Sequence, residues 1–194
     1  DNFTVDVAGF YNLINHYIFI APTVNVTPDG FGIYRYMQNN STLVGGEAGV
    51  HIHPQAIAWL HVETTFATVA GKQQNGNYLP FIPADKLKFE LRAEKQKLLF
   101  LHDAFASANV NVAFDQNNAA PDETATAGYT LLDMAIGGNI KMKKQSLFIG
   151  ITANNLLDKK YIDHLSTLKE VNLFNPGRNI GLTLRVPFGS ATNL

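Results

Sequence analysis

Between Lys86 and Glu94 the chain alternates without a break. Leu87, Phe89, Leu91 and Ala93 take one parity, and Lys86, Lys88, Glu90, Arg92 and Glu94 take the other. Successive side chains of an extended strand point to opposite faces, so this period of two predicts a β-strand with one oily and one ionic face. Similar runs recur along the chain. Phe3, Val5, Val7, Gly9 and Tyr11 oppose Thr4, Asp6, Ala8 and Asn12, and the phase blurs near Leu13-Ile14, where a bulge is expected before Tyr17 to Ile20. A second strand covers Gly32 to His53, with Val44, Ala48, Val50 and Ile52 opposite Glu47, His51 and His53. A third, Ala58 to Ala70, sets Leu60, Val62 and Phe66 against Trp59, His61, Glu63 and Thr65. A fifth strand is expected from Leu98 to Phe114, a sixth around Leu132 to Ile140, a seventh from Leu147 to Asn154 and an eighth from Asn179 to Phe188.

The connections alternate in length. Ala21 to Gly30, Gly71 to Ala84, Asp115 to Ala127 and the stretch after Leu157 read as long loops, whereas Pro54-Gln55, Glu94 to Lys97 and Met142 to Lys144 read as short turns. No segment has the helical period that would cover a sheet face. The expected fold class is therefore all-β: an antiparallel transmembrane β-barrel segment of about eight strands, with short turns at one end and long loops at the other. The double glycines at 45–46 and 137–138 lie inside strands, where they predict bulges or close backbone approach.

Charge decides which face meets what. In the eight runs so phased, no Asp, Glu, Lys or Arg falls on the apolar parity. A basic residue at a bilayer midplane costs roughly 2–4 kcal/mol, so the apolar parity is expected to face hydrocarbon and the ionic parity a wet lumen. Glu47, Glu63, Lys86, Lys88, Glu90, Arg92 and Arg185 are the expected lumen-facing charges, and Lys86, Lys88, Glu90 and Arg92, with Glu47 and Glu63 nearby, are expected to form a cross-strand ladder. His102 alone breaks the rule, and either wetting near the Lys97 turn or a phase-changing bulge accounts for it. Tyr129 and Phe188 are candidates for interfacial aromatic belts.

Composition adds exclusions. A hydrophobic content of 46% and a mean hydropathy of −0.03 resemble those of a soluble protein. Barrel strands average out in the same way, however, and no run approaches the roughly 18 apolar residues of a membrane helix. A net charge of −1 argues against a nucleic-acid partner. The absence of cysteine excludes disulfides and thiolate metal sites. The sequence opens at Asp1 without a basic-then-apolar leader, so a mature or cut piece is expected.

Candidate chemistry is sparse. His51, His53, His61 and Glu63 share a face on neighbouring strands, a donor set able to bind zinc, but polar residues lining a wet lumen give the same pattern and no metal site is assigned. Ser166 beside His164 lacks an oriented third member and is no catalytic triad. No glycine-rich phosphate loop is present, and neither an enzyme nor a cofactor is implied.

The C-terminal region carries a resemblance. Asn155-Leu156-Leu157-Asp158-Lys159-Lys160-Tyr161, then His164-Leu165-Ser166, then Pro176-Gly177-Arg178-Asn179-Ile180, then an amphipathic strand closing on Val186-Pro187-Phe188, stand in order at loop-compatible spacing. Together they resemble the C-terminal end of TonB-dependent outer-membrane receptors. The resemblance implies the C-terminal barrel region, residues 1–188, of a bacterial outer-membrane protein that takes up a ferric siderophore or other iron complex. It departs from the family in the tail, 189–194, beyond Phe188, and in having no stretch like the plug domain through which such receptors reach TonB. The expected partners are outer-membrane lipid, TonB through that plug, and the iron complex. Tyr161, Asp163, His164 and Lys169 of the last loop are the expected ligand contacts, offering an aromatic ring, an anion, an imidazole and a cation. Uptake of a divalent metal by the same class, and an independent small eight-stranded barrel with a structural or adhesive role, stand as alternatives. Pairing of the first strand with the last decides between the fragment and the closed barrel.

Overall fold

The computed structural model describes residues 2–142 and 145–187. Eight strands form one antiparallel sheet in chain order: β1 (Phe3–Val26), β2 (Gly32–Ile52), β3 (Leu60–Gln73), β4 (Lys86–Leu98), β5 (Leu101–Ala113), β6 (Tyr129–Lys141), β7 (Ser146–Asn154) and β8 (Asn179–Arg185). Among the described residues β1 does not pair with β8, so the sheet is open. The closed small barrel needs that pairing, and the segment reading stands. Phe188 and the tail 189–194 lie outside the described residues, as do Lys143 and Lys144 of the expected sixth turn.

The register carries one face across the sheet. Glu47 stands opposite Ala8 and Ala67, Glu63 opposite His51 and Glu90, Lys88 opposite Thr65 and Asn111, and Arg92 opposite His61 and Ser107. Farther along, Asn109 meets Asp133, Gly137 meets Gly150, and Phe148 meets Arg185. All seven charges expected together therefore share a face. This is the hollow side of the sheet, because the loop between β7 and β8 reaches back across it to Lys86 of β4 and to Gly32 of β2. On the other face Phe89 and Leu91 are left exposed.

Four expectations about connections need correction. β1 continues to Val26, through the stretch expected as a loop, because Ala21 and Pro22 still pair with Arg35 and Tyr34. Proline is tolerated there because the register slips directly after Pro22, at a break in the ladder where no donor is required. β4 runs on through Glu94 to Lys97, and the turn is Leu99-Phe100, with Leu99 in the left-handed region at φ 54°. The Pro54 turn is longer than expected, since a 3-10 turn at Gln55–Ile57 follows it. β3 extends to Gln73, which puts Lys72 on the apolar parity at the strand's end, with its ammonium 4.9 Å from the Tyr78 ring centroid. Lys95 likewise joins the apolar parity near the β4 turn, so the outer face is free of formal charge only between the strand ends.

Besides the slip after Pro22, two bulges arise where the sequence phase is ambiguous. The register shifts between Ile14 and Tyr17, with His16 at φ 56°, and between His102 and Phe105, with Asp103 at φ 49°. The second shift sets His102 opposite Asn139, on the parity of Asp133 and Gly137, so the phase-changing bulge accounts for its place in the sequence pattern. Among the described residues, a small apolar core forms at the loop end of the hollow face. There Phe19, Ala21 and Leu79 pack with Tyr17, Met37, Leu43 and Ile82, so the loop between β3 and β4 covers the tops of β1 and β2.

Candidate functional site

At the loop end of the hollow face, the connection between β7 and β8 (residues 155–178) folds inward. Its two ends are stapled first. The Asn155 side chain accepts from the Lys159 amide at 2.8 Å and donates to the Lys159 carbonyl at 2.9 Å, while the Asn155 amide donates to Asp133 at 2.7 Å. Asp158 accepts from the Arg178 amide at 2.9 Å, and Arg178 donates to the Leu156 carbonyl at 3.2 Å. A Cβ on Gly177 would lie 2.7 Å from the Asp158 carboxylate, so any larger residue would push that carboxylate aside. Loop architecture thus accounts for the Asn155–Asp158 and Pro176–Arg178 motifs.

The stapled loop presents Tyr161 and Asp163 to the hollow face. The Tyr129 hydroxyl donates to Asp163 at 2.7 Å, the Lys86 ammonium lies 3.3 Å from the same oxygen, and the Leu165 amide donates to the other at 3.0 Å. The Tyr129 and Tyr161 rings stand 4.4 Å apart. Burial pushes the Asp163 carboxyl up, but the Tyr129 hydroxyl, the Leu165 amide and the Lys86 cation outweigh it and hold the group below its usual range. Burial and the neighbouring carboxylates raise the Tyr161 phenol. Tyr129 is therefore a hollow-face residue rather than a member of an outer aromatic belt. Its parity with Asp133 already carries that information.

His164 and Lys169 go elsewhere. They lie behind the loop with Glu123 of the β5–β6 connection, where the imidazole Nε2 is 3.2 Å from Glu123 and both side chains are at most 5% exposed. The Thr126 hydroxyl contacts His164 Nδ1 at 2.7 Å, and the Lys169 ammonium contacts the same atom at 3.3 Å. An ammonium can only donate, so Nδ1 accepts and Nε2–H donates to Glu123. Glu123 also accepts from the backbone amides of Phe81 at 3.2 Å and Ala120 at 3.1 Å. Burial raises its carboxyl, yet His164 and these two amides more than compensate and lower it. Burial depresses the Lys169 ammonium against the partial support of Glu123. One carboxylate thereby fastens three connections, those following β3, β5 and β7. Glu123 carries no local sequence signal, because its partners are brought to it by the folding of separate loops.

Toward the short-turn end, the hollow face changes character. Lys88 pairs with Glu90 at 3.0 Å and Arg92 with Glu94, both along β4 rather than across strands, so the expected cross-strand ladder is not what forms. Glu63 stands directly opposite Glu90. The His53 and His61 rings stack at 4.1 Å and those of His51 and His61 at 5.8 Å, beside Glu63. Among the described residues, no three His, Asp or Glu side chains are gathered so as to hold a metal ion. Next to this group Arg92 lies 4.3 Å over the Phe105 ring, Phe105 stacks on Phe148 at 6.4 Å, and Arg185 lies 5.5 Å over Phe148. Gly137 makes this row possible, since a Cβ there would meet the Phe105 ring at 2.8 Å. The sequence placed Arg92 and Arg185 correctly on one face but gave no hint that two phenylalanines join them.

An open antiparallel wall with one ionic and one apolar face, short turns at one end and long loops at the other, is the architecture of a β-barrel segment. Residues 1–156 match the family described as TonB-dependent receptor-like β-barrel, and the chain belongs to that family. The match ends where the C-terminal motifs begin, so the two lines of recognition cover different parts of the chain. Among solved structures the fold is similar to that of the copper transporter OprC, with a TM-score of 0.76 and 18% sequence identity over 93% of this chain. The chain spans 28% of the length of that protein. No curated protein matches the sequence.

Proposed function

We propose that this chain forms part of the wall and external mouth of a bacterial outer-membrane receptor that imports an iron complex with energy relayed by TonB. The observation that carries the reading is the paired tyrosine–carboxylate–ammonium group of Tyr129, Tyr161, Asp163 and Lys86 on the hollow face, beneath loops held by Glu123. A chelate's planar parts stack on the tyrosines, and its charged groups meet Lys86 and Asp163. Tyr161 and Asp163 touch the cargo, while His164 and Lys169 act from behind by fixing the loop that presents them. The apolar parity meets lipid. β1 and β2, with 24 and 21 residues, extend well past the roughly 9–11 residues that cross a bilayer and project outside it.

A second reading, import of a divalent metal, is supported by the fold shared with a copper transporter, and the imidazoles of His51, His53 and His61 would be single contacts along the hollow face rather than a preformed site. One experiment separates the two. Cells expressing the full-length receptor are given radiolabelled ferric iron in catecholate and hydroxamate chelates, or radiolabelled Cu²⁺. Energy-dependent iron uptake that falls in Asp163→Ala and Tyr161→Ala supports the first reading. Copper uptake that falls instead in His61→Ala supports the second, and uptake of neither removes both.

A further inference from the structure

The outer face carries a dent. Ala93 of β4 pairs directly with Ala106 of β5, and Ala104 stands opposite Lys95, so the surface sinks where neighbouring strands carry larger side chains. Ile136, Ile149 and Ile151 of β6 and β7 wall the hollow, which measures about 650 Å³. That volume lies within the roughly 300–1,000 Å³ of sites that hold a small molecule. Its lower edge lies at the Leu99-Phe100 turn, where Leu98, Phe100 and Lys95 border it together with Trp59, which stands in the turn before β3 and so escapes the inward parity expected for it.

Charge at this edge is one-sided. Glu94 reaches this edge only from the opposite face of the sheet, where its carboxylate pairs with Arg92. Among the described residues no carboxylate lies within ion-pair distance of Lys95. An apolar slot with a cation and an indole at its mouth matches a chain of methylenes ending in a phosphate. Tryptophan and lysine at a strand end are the residue types that sit at headgroup level, the lysine with its stem on apolar surface and its ammonium in the polar layer.

We propose that this hollow seats an acyl chain of an anionic phospholipid from the periplasmic leaflet, with its phosphate against Lys95. The inference rests on the outer-membrane reading above, because the hollow meets lipid only if the apolar parity does. The short turns place it on the periplasmic side, since barrels of this kind carry their long loops outside.

The test uses the full-length receptor purified in mild detergent, with phosphatidylglycerol or phosphatidylcholine added and retained lipid counted by native mass spectrometry. One phosphatidylglycerol is expected to be retained in preference to phosphatidylcholine. Lys95→Gln is expected to reduce that preference about fivefold, the equivalent of one lysine at an anionic surface. Ala106→Phe, which fills the hollow, is expected to abolish retention of both lipids. Equal retention of the two lipids, or retention unchanged in both variants, overturns the proposal. Lys95→Gln alters only an exposed edge and keeps the test decisive if Ala106→Phe fails to assemble. Membrane fractionation distinguishes the two levels of failure: a receptor found in the outer membrane that retains no lipid sinks the seat alone, whereas one found outside any membrane sinks both readings.

Discussion

Replacing Glu123 with alanine tests whether three loops are fastened at one point. The change leaves His164 Nε2–H, the Phe81 amide and the Ala120 amide without their acceptor, and leaves Lys169 without its nearby anion. Each buried donor so orphaned costs about 1–3 kcal/mol. The three losses overlap, because the loops relax together once the carboxylate is gone. A buried pair broken by removing one partner loses about 3–5 kcal/mol, which is the better figure for the whole. At roughly 1.4 kcal/mol per factor of ten, the loop cluster should open some hundred- to several-thousand-fold more often. Hydrogen exchange of the intact receptor, read by mass spectrometry on peptides covering 78–85, 116–128 and 160–175, measures this directly. All three peptides should speed up together while amides within β4 and β5 hold their rates. Glu123→Gln keeps an oxygen acceptor without the charge and should fall between wild type and alanine. Exchange confined to one loop, or spread equally into the strands, refutes the idea of a shared clasp.

Acid should loosen the same loops. Asp163 and Glu123 are both held below the ordinary carboxylate range, so the folded loops bind fewer protons than unfolded ones. Their stabilisation is complete above the unfolded values of about 4 and drains away as pH falls through the depressed ones. Protease cleavage within 157–178 should accordingly stay flat from pH 8 to about 5 and rise only below about 4; a rise already at neutral pH would point to other groups. On the outer face, Phe89→Arg should cost roughly 2–4 kcal/mol in folding into lipid bilayers, whereas Lys88→Gln on the hollow face should stay within about 0.5 kcal/mol. Heat-modifiable gel mobility after denaturant titration reads both, and equal costs would contradict the two-faced wall. Gly177→Ala should displace the Asp158 carboxylate from the Arg178 amide and cost about 1 kcal/mol of loop stability, seen as faster exchange at the Arg178 amide with the strands unchanged.

The strands were legible because their information is local. The alternation from Lys86 to Glu94 names both faces of β4 without reference to any other residue, and the blurred phase at Leu13-Ile14 marks a real bulge. Strand ends were harder to read. Ala21 and Pro22 look like loop residues, yet they pair with Arg35 and Tyr34, the proline being accommodated beside the register slip that follows it. The last loop divides in the same way. Tyr161, Asp163, His164 and Lys169 read as one group by proximity in sequence, but two turn toward Lys86 and Tyr129 and two toward Glu123. That division depends on where the preceding loops fold, which no spacing within residues 155–178 encodes. Phe105 and Phe148 were likewise invisible as a pair, since only the register across Gly137 and Gly150 brings their rings together.

The sequence contains no cysteine, so single thiols can be placed at will for spin labelling. The most direct measurement is the accessibility of labels at positions 87 through 92 to oxygen and to a water-soluble nickel chelate, with the full receptor in lipid bilayers. Labels at 87, 89 and 91 should collide mainly with oxygen, and those at 88, 90 and 92 mainly with nickel, in strict alternation. The opposite phase, or no alternation, would mean that the apolar side of this wall does not face hydrocarbon.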